Sequence, residues 1–445
     1  MSETRWQPYP TCKDSGVEWL GEIPYHWQVK RVRYACETNP RKSEIGYLPS
    51  DTEVSFLPME SIGEDGTLVL SETRTVDQVW QGYTYFQDGD VAVAKITPCF
   101  ENGKGALFDG LVNGIGFGTT ELHVLRARDG VDPRFIFYLT RSHPFRQIGT
   151  AMMYGAAGQQ RVPEDFIEDF TVGFPPLSEQ RAIDTFLDRQ TAKIDALVTK
   201  QERLIKLLQE KRAALISHAV TKGLDPDVEM KDSGIPWLGE IPAHWRLLQL
   251  RRVIEKFVDY RGKTPEKVQD GIPLITARNI ENGAINFDLS QEFIREEDYD
   301  SWMVRGLPEV GDVLITTEAP LGESAQIVDA RIALAQRIIL LKADKERITN
   351  NYLKYHFAAN SGQGELWSRA TGSTAIGIKA YHLRAILVTV PPIEEQENIA
   401  AHLDRETARL DTLITKIQKM IERLEEYRTA LISAAVTGKM DVRES

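Results

Sequence analysis

One long helical segment occurs twice in this chain, and it limits the possible folds more than any other feature. Residues 175–225 read PPLSEQRAIDTFLDRQTAKIDALVTKQERLIKLLQEKRAALISHAVTKGLD, and residues 391–441 return nearly the same text, with about half the positions identical. In the first copy Ile194, Leu197, Leu204, Leu208 and Leu215 fall at helical steps around Gln201 and Lys211; the second offers Leu410, Leu413, Ile417, Met420, Leu424, Tyr427 and Leu431. This spacing predicts a coiled-coil seam. Polar seam residues often fix register, and Gln201 and Lys211 either do that or sit at a solvent edge. Neither stripe can remain in water, and the copies match in register, so the simplest partner for each helix is the other. The expectation is an intramolecular antiparallel pair.

The duplication reaches beyond the helices. Residues 13–27 read KDSGVEWLGEIPYHW and residues 231–245 read KDSGIPWLGEIPAHW, so each unit opens with this segment and closes with the helix. Pro24 and Pro242 exclude a continuous helix there, and Trp19, Trp27, Trp237 and Trp245 read as packing anchors rather than base-stacking platforms. Residues 221–228, with Gly223 and Pro226, read as the link into the second unit. Between opening and helix lie β-rich runs bounded by Gly, Pro or Asp, at 54–59, 90–96 and 120–125 and again at 272–277, 312–317 and 331–341. Short helices are expected at 134–141 and 352–359, and closing strands at 170–174 and 385–390. Pro-Pro then stiffens the entry to each long helix, with Ser178 as N-cap of the first and Glu179 on its dipole. The fold class is α+β: two mixed α/β domains separated by two long helices packed as an antiparallel coiled coil, a pseudo-two-fold tandem repeat.

The two domains are unequal inside. AKITPCFENGKGALFDGLVNGIGFGTTELHVL in the first has only a loose echo in LITTEAPLGESAQIVDARIALAQRIILL of the second. Openings and helices are the same on both sides while the domain faces differ, as expected of a device that holds two different readers.

The 445 residues suffice for two to three domains with real cores. No apolar run approaches the roughly 20 residues needed to cross a bilayer, and the polar start lacks a signal sequence, so the expected location is cytoplasmic. Cys12, Cys36 and Cys99 match neither a zinc-ligand spacing nor a disulfide framework. A net charge of -12 argues against a simple nucleic-acid binder. The two helical segments are together nearly neutral, so the acid lies in the other domains and the objection stands, although phosphate contacts are local.

Catalytic signatures fail on inspection. GIGFG at 114–118 precedes a strand run instead of opening a helix, as a cofactor loop must. Asn39-Pro40 is followed by Arg41 and Lys42, not by the Pro-aromatic of adenine amino-methyltransferases. Residues 372–379 lack the Ser or Thr of a phosphate-binding loop, and Asp227, Glu229 and Lys231 imitate a nuclease cluster without a strand to carry it. His26 and His244 have no paired ligand spacing, so no metal site is expected.

Together, KDSGxxWLGEIPxHW, the β-rich domain with KITPCFENGKG and NGIGFGTTELHVLR, and PPLSEQxxIxxxLD running into a long helix resemble the specificity subunit of type I restriction-modification systems, the HsdS family. The resemblance spans essentially the whole chain. It implies target-recognition domains at 1–174 and, with the linker, 221–390, and conserved helical regions at 175–220 and 391–445. It further implies a non-catalytic subunit whose domains each read one half of a bipartite site in double-stranded DNA while the helices set the spacer. Two methyltransferase subunits and motor-nuclease restriction subunits would be its partners. No cofactor is expected on this chain; S-adenosylmethionine belongs to the methyltransferase partner. The stretch 191–218 gives roughly 42 Å of helix, against about 34 Å for a turn of B-DNA.

Within the domains, Lys95, Thr97, Asn102 and Lys104 are candidate DNA contacts on the KITPCFENGKG loop. Gln159, Gln160 and Arg161 follow on GAAGQQR, and Gln and Arg suit bidentate contacts to adenine and guanine. Arg278, Asn279, Ser373, Thr374 and Lys379 are the candidates in the second domain. Ordinary turn and surface roles are the alternative for each. At the level of the whole chain, the alternative is a coiled-coil scaffold that binds protein only, and a single-chain enzyme is disfavoured by the missing catalytic motifs.

Overall fold

The computed structural model describes residues 7–443 apart from 157, 261, 263 and 373–375. The two long helices span Leu177–Lys222 and Ile393–Val436. The chain separates into two compact units, residues 1–201 with 419–445, and residues 202–418, so each unit holds part of both helices. Among the described residues no helix is long and apolar enough to cross a membrane. Cys12, Cys36 and Cys99 are free thiols.

In the first unit, Ile194 of the first helix shares a core with Leu431 and Ile432 of the second, and Val198 and Leu424 pack against it. Arg428 reaches Asp195 at 3.2 Å. In the second unit, Ile216 shares a core with Leu403, and Arg212 reaches Asp411 at 3.1 Å. Within each unit, then, the early part of one helix meets the late part of the other, and the packing is antiparallel.

The seam follows alternating steps of four and three, but in a phase that corrects part of the expected set. In the first unit the inward side chains are Ile194, Val198 and Gln201, with Ile421, Leu424, Arg428, Leu431 and Ala435. In the second they are Ile205, Leu208, Arg212, Leu215 and Ala219, with Leu403, Thr407, Leu410, Ile414 and Ile417. Ile194, Leu208, Leu215, Leu410, Ile417, Leu424 and Leu431 therefore lie on the seam. Leu197, Leu204, Leu413, Met420 and Tyr427 are 41–49% exposed. Each stands one residue before a seam position, about 100° away around the helix, so a β-branched neighbour or an arginine takes its place. Lys211 is exposed for the same reason, and Arg212 takes the seam position.

Each unit carries the same four-stranded antiparallel sheet. In the first its order is Cys36–Thr38, Leu122–Ala127, Asp90–Ala94, Gly105–Leu107. In the second it is Ile254–Asp259, Ile338–Ala343, Val313–Thr317, Leu321–Gln326. A second sheet in each unit contains one parallel pair, Glu53–Leu57 with Ile115–Gly118 and Ile272–Ile275 with Ala333–Leu334. The expected short helices form as Pro133–Arg141, capped by the Asp132 side chain, and Asn350–Ala358, capped by Thr349. The run expected as one strand at 331–341 divides into two, Ala333–Leu334 and Ile338–Ala343.

What fastens each domain to its long helix is duplicated side chain by side chain. Trp27 is fully buried, and its indole N–H donates to Glu179 at 2.9 Å. The Tyr9 hydroxyl donates to the same carboxylate at 2.7 Å, and His26 Nε2 lies 2.6 Å from its other oxygen. In the second unit Trp245 and His244 meet Glu395 at 3.0 and 2.7 Å. One residue on, Gln180 accepts the Asp132 N–H at 2.7 Å and donates to the carbonyls of Gly130 and Pro175. Gln396 does the same for Thr349, Arg347 and Pro391. Trp27 and Trp245 are packing anchors, whereas Trp237 is half exposed. Ser178, expected as the N-cap, lies inside the first turn because the helix begins at Leu177. Both helices end at a glycine with positive φ, Gly223 and Gly438, and a Cβ on Gly438 would stand 2.3 Å from Pro24.

Asp184 breaks the symmetry. It is 4% exposed, and neither carboxylate oxygen has a hydrogen-bond partner among the described residues. Burial, with Asp132 and Asp188 beside it, pushes its pKa up to about 8. The matching residue of the second helix is Ala400, a core residue.

Two outcomes are expected. Folding favours the protonated Asp184, so this carboxyl imposes no penalty below its unfolded value near 4 and destabilises the first unit progressively as pH rises to about 8. Asp184→Asn should therefore exceed the parent in unfolding free energy by roughly 1–3 kcal/mol at about pH 8 and by little near pH 4.5; parallel urea profiles would contradict this. Glu179→Ala leaves the Trp27 and Tyr9 donors buried without an acceptor and should cost about 2–4 kcal/mol, with earlier proteolysis of the opening segment. Glu395→Ala, at a more exposed site, should cost less.

Candidate nucleic-acid interface

The strand Asp90–Ala94 runs out into Lys95, Ile96 and a cis Thr97-Pro98 peptide. The Lys95 N–H donates to the Glu121 carbonyl at 2.9 Å, and the Lys95 carbonyl accepts the Val162 N–H at 2.8 Å. The Thr97 N–H and hydroxyl both donate to the Gln160 carbonyl, at 3.0 and 3.3 Å. Tyr154 and Arg161 exchange two backbone bonds, closing the GAAGQQR loop. Lys95, Thr97, Gln160 and Arg161 are thus brought together from segments far apart in the chain, and Gln159 is exposed beside them.

Two other candidates of this loop do different work. Lys104 donates to the Met59 carbonyl at 3.0 Å, and Asn102 donates to Glu64 at 2.9 Å while facing a separate cleft with Arg141 and Arg146. Both brace the loop that carries Met59 and Glu64. Lys95 instead lines a cleft of about 440 Å³ with Asn39, Arg41, Lys42, Tyr83 and Tyr85. Arg41 and Lys42 were visible in the sequence only as the residues that spoil a methyltransferase motif.

The second unit builds the same junction. Thr317 N–H donates to the Arg337 carbonyl at 2.9 Å, and the Thr317 carbonyl accepts the Ile378 N–H at 2.9 Å. A cis Ala319-Pro320 peptide follows, and Thr371 and Gly377 exchange two backbone bonds. A cleft of about 370 Å³ is lined here by Glu318, Gln336, Arg337 and Lys379, with Lys379 exposed. Ser373 and Thr374 lie outside the described residues.

Arg278 is exposed, but Asn279 is buried and spent on the turn it sits in. Its side-chain oxygen accepts from the Thr276 N–H and hydroxyl at 2.9 and 2.8 Å, and its amide donates to the carbonyls of Asn286 and Ser290. With every hydrogen-bonding position filled internally, Asn279 cannot also read a base, which corrects its candidacy. Of the GIGFG glycines, Gly114 ends the turn before strand Ile115–Gly118 and the other two, Gly116 and Gly118, lie in it, where a Cβ on Gly116 would stand 2.2 Å from the Phe86 ring. They serve close packing, not a cofactor.

Charged pairs mark both junctions. Arg161 grips Glu121 through Nε at 2.9 Å and Nη2 at 2.8 Å, and this holds the Glu121 carboxyl below its ordinary range. In the second unit Arg337 lies 3.4 Å from Glu318. Glu121, Glu318, Gln336 and Arg337 were not among the sequence candidates. The signal available was the shared Pro of KITP and TEAP, which aligns the two junctions once the proline is recognised as the pivot.

Residues 261–423 match the family described as the Type I restriction modification DNA specificity domain. The chain is 27% identical over 475 residues to the type I restriction enzyme EcoAI specificity subunit of Escherichia coli, covering 86% of this chain and 78% of that one. Over most of its length the chain is similar to type I restriction enzyme specificity subunits. The fold is shared: a chain from a structure of a type I restriction-modification system superposes with a TM-score of 0.73 at 18% identity, covering 94% of this chain and 99% of that one. The HsdS subunit from Thermoanaerobacter tengcongensis gives 0.52 at 18% identity, covering 94% and 98%. The likeness in fold extends over nearly the whole chain, mixed α/β domains and long helices alike.

Asn279→Ala should destabilise the second unit by about 2–3 kcal/mol because it strips the turn of its internal bonds. Arg278→Ala should stay within about 0.5 kcal/mol of the parent. Equal stabilities in urea unfolding would return Asn279 to the list of candidate contacts.

Proposed function

We propose that this chain is the DNA sequence-specificity subunit of a type I restriction-modification complex. Each domain reads one half of a bipartite DNA site, and the duplicated helices set the unread spacer and dock two methyltransferase subunits. Motor-nuclease subunits then join for restriction. The chain itself is non-catalytic, and S-adenosylmethionine is held by the methyltransferase partner. The observation that supports this most is the repeated cis-proline junction: one backbone arrangement, built once in each unit, carries a different set of polar side chains each time. A scaffold conserved by its folding with variable chemistry on it is what two related readers of unlike sequences require.

The net charge of -12 favours the other reading, a coiled-coil scaffold that binds protein alone. The cations gathered at the junctions, Lys95 with Arg41 and Lys42, and Arg337 with Lys379, answer it locally.

The deciding experiment supplies purified chain and its methyltransferase partner with DNA and maps N6-methyladenine. Methylation at one bipartite site, dependent on both proteins, is the expected result. Methylation independent of this chain would favour the scaffold, and methylation by this chain alone would make it an enzyme. Deleting one heptad from each long helix keeps the four-three seam in phase and should shorten the unread spacer by about 3 base pairs, since seven residues rise roughly 10 Å. A spacer unchanged in the same mapping would leave the helices without a measuring role.

A further inference from the structure

The two junctions place an acid and a guanidinium at the same point but supply them from exchanged backbone positions. At the foot of the strand that receives the junction, the first unit has Glu121 and the second has Arg337, identified as equivalents by the bonds they accept from Lys95 and Thr317. The partner of Glu121 is Arg161, arriving from the loop after the short helices; its counterpart there is Gly377, fixed by the matching backbone pairs Tyr154 with Arg161 and Thr371 with Gly377. The partner of Arg337 is Glu318, which stands where the first unit has Ile96. The charges have changed places, yet the pair is kept.

Stability does not explain this retention. All four side chains are between about a quarter and a half exposed, and exposed ion pairs contribute little. Geometry gives a better reason. Glu121 takes the Nε and Nη2 edge of Arg161, which leaves the Nη1 and Nη2 end of the fork directed away from the carboxylate. Among the described residues Nη1 has a single long contact, 3.5 Å, to the Gln159 carbonyl. An arginine braced along one edge presents its end as two parallel donors, the match for O6 and N7 of guanine in the major groove. Adenine offers N7 beside an amino donor, so the same fork discriminates against it.

Resting on the DNA-reading function above, we propose that Arg161 and Arg337 each read one guanine, one in each half-site, with Glu121 a positioning residue that braces Arg161 by two hydrogen bonds and Glu318 steering Arg337 by the looser ion pair at 3.4 Å. The neighbouring cations Lys95 and Lys379 then face the backbone phosphates, which orient the domain without selecting sequence.

The test uses the full chain with its methyltransferase partner and a duplex library randomised in both half-sites, read out as bound or methylated sequences. Arg161→Ala should lower selectivity at a single guanine position of one half-site by roughly 10- to 100-fold and leave the other half-site as in the parent. Arg161→Lys keeps the charge and should weaken selectivity at the same position with overall affinity within a few-fold of the parent, because a flexible ammonium has no planar fork for Glu121 to hold in place. Glu121→Gln should relax that same position partially. Arg337→Ala should act on the other half-site only. An intact reading of the untouched half-site certifies folding in each variant. Uniform weakening at every position, loss in both half-sites, or unchanged guanine selectivity would overturn the assignment. A parent complex with no bipartite preference at all would instead overturn the function on which it rests.

Discussion

The structure depends on a carboxylate in the first turn of each long helix, buried in the first unit and partly buried in the second. Glu179 is surrounded by donors from the opening segment, the Trp27 indole, the Tyr9 hydroxyl and His26, and sits where the helix macrodipole favours negative charge. Burying a carboxylate is costly unless its oxygens are satisfied, and here they are satisfied only if the opening segment folds onto the helix. One residue further, Gln180 ties the helix to the chain entering Pro133–Arg141. These two adjacent side chains convert a free rod into an arm rigidly joined to its domain. Glu395 and Gln396 do so again in the second unit.

Much of this plan was legible in the sequence because duplication shows itself twice. The matched Trp27 and Trp245, the Pro-Pro entries and the long helices needed only comparison of one half with the other. The phase of the seam is not legible in the sequence, because Leu197, Leu204 and Leu413 stand directly before Val198, Ile205 and Ile414 and either set keeps the alternating three-four step. Burial in the folded chain separates the two phases: leucine stems on the flank of a seam are tolerated in water, while an arginine at position 212 lays its aliphatic stem inward and sends its charge to Asp411.

The candidate interface was legible in part. Lys95, Thr97, Gln160 and Arg161 are joined by backbone bonds that no local pattern announces, since they connect strand end to distant loop. Asn279 failed because an asparagine that closes a turn and one that reads adenine look alike until its four bonds are traced. The exchanged acid and guanidinium escaped notice for a related reason. Alignment by residue type cannot match Glu121 with Arg337; only the shared hydrogen-bond frame does.

The units also differ where they are most enclosed. The first holds Asp184 where the second has Ala400, and Arg146, whose pKa burial lowers to about 9, where the second has Gln363 satisfied by backbone carbonyls. Sameness is therefore concentrated in the joints and the rods. The paired arginines of the rods carry a consequence of their own. Arg212 and Arg428 occupy equivalent heptad places, and each finds its aspartate in its own unit. Within a unit, moving one helix segment along the other by a seam step would part the arginine from its aspartate. Each unit therefore fixes the register of its own pair of helix segments, since the buried stem can discharge its positive end only where an acid stands opposite.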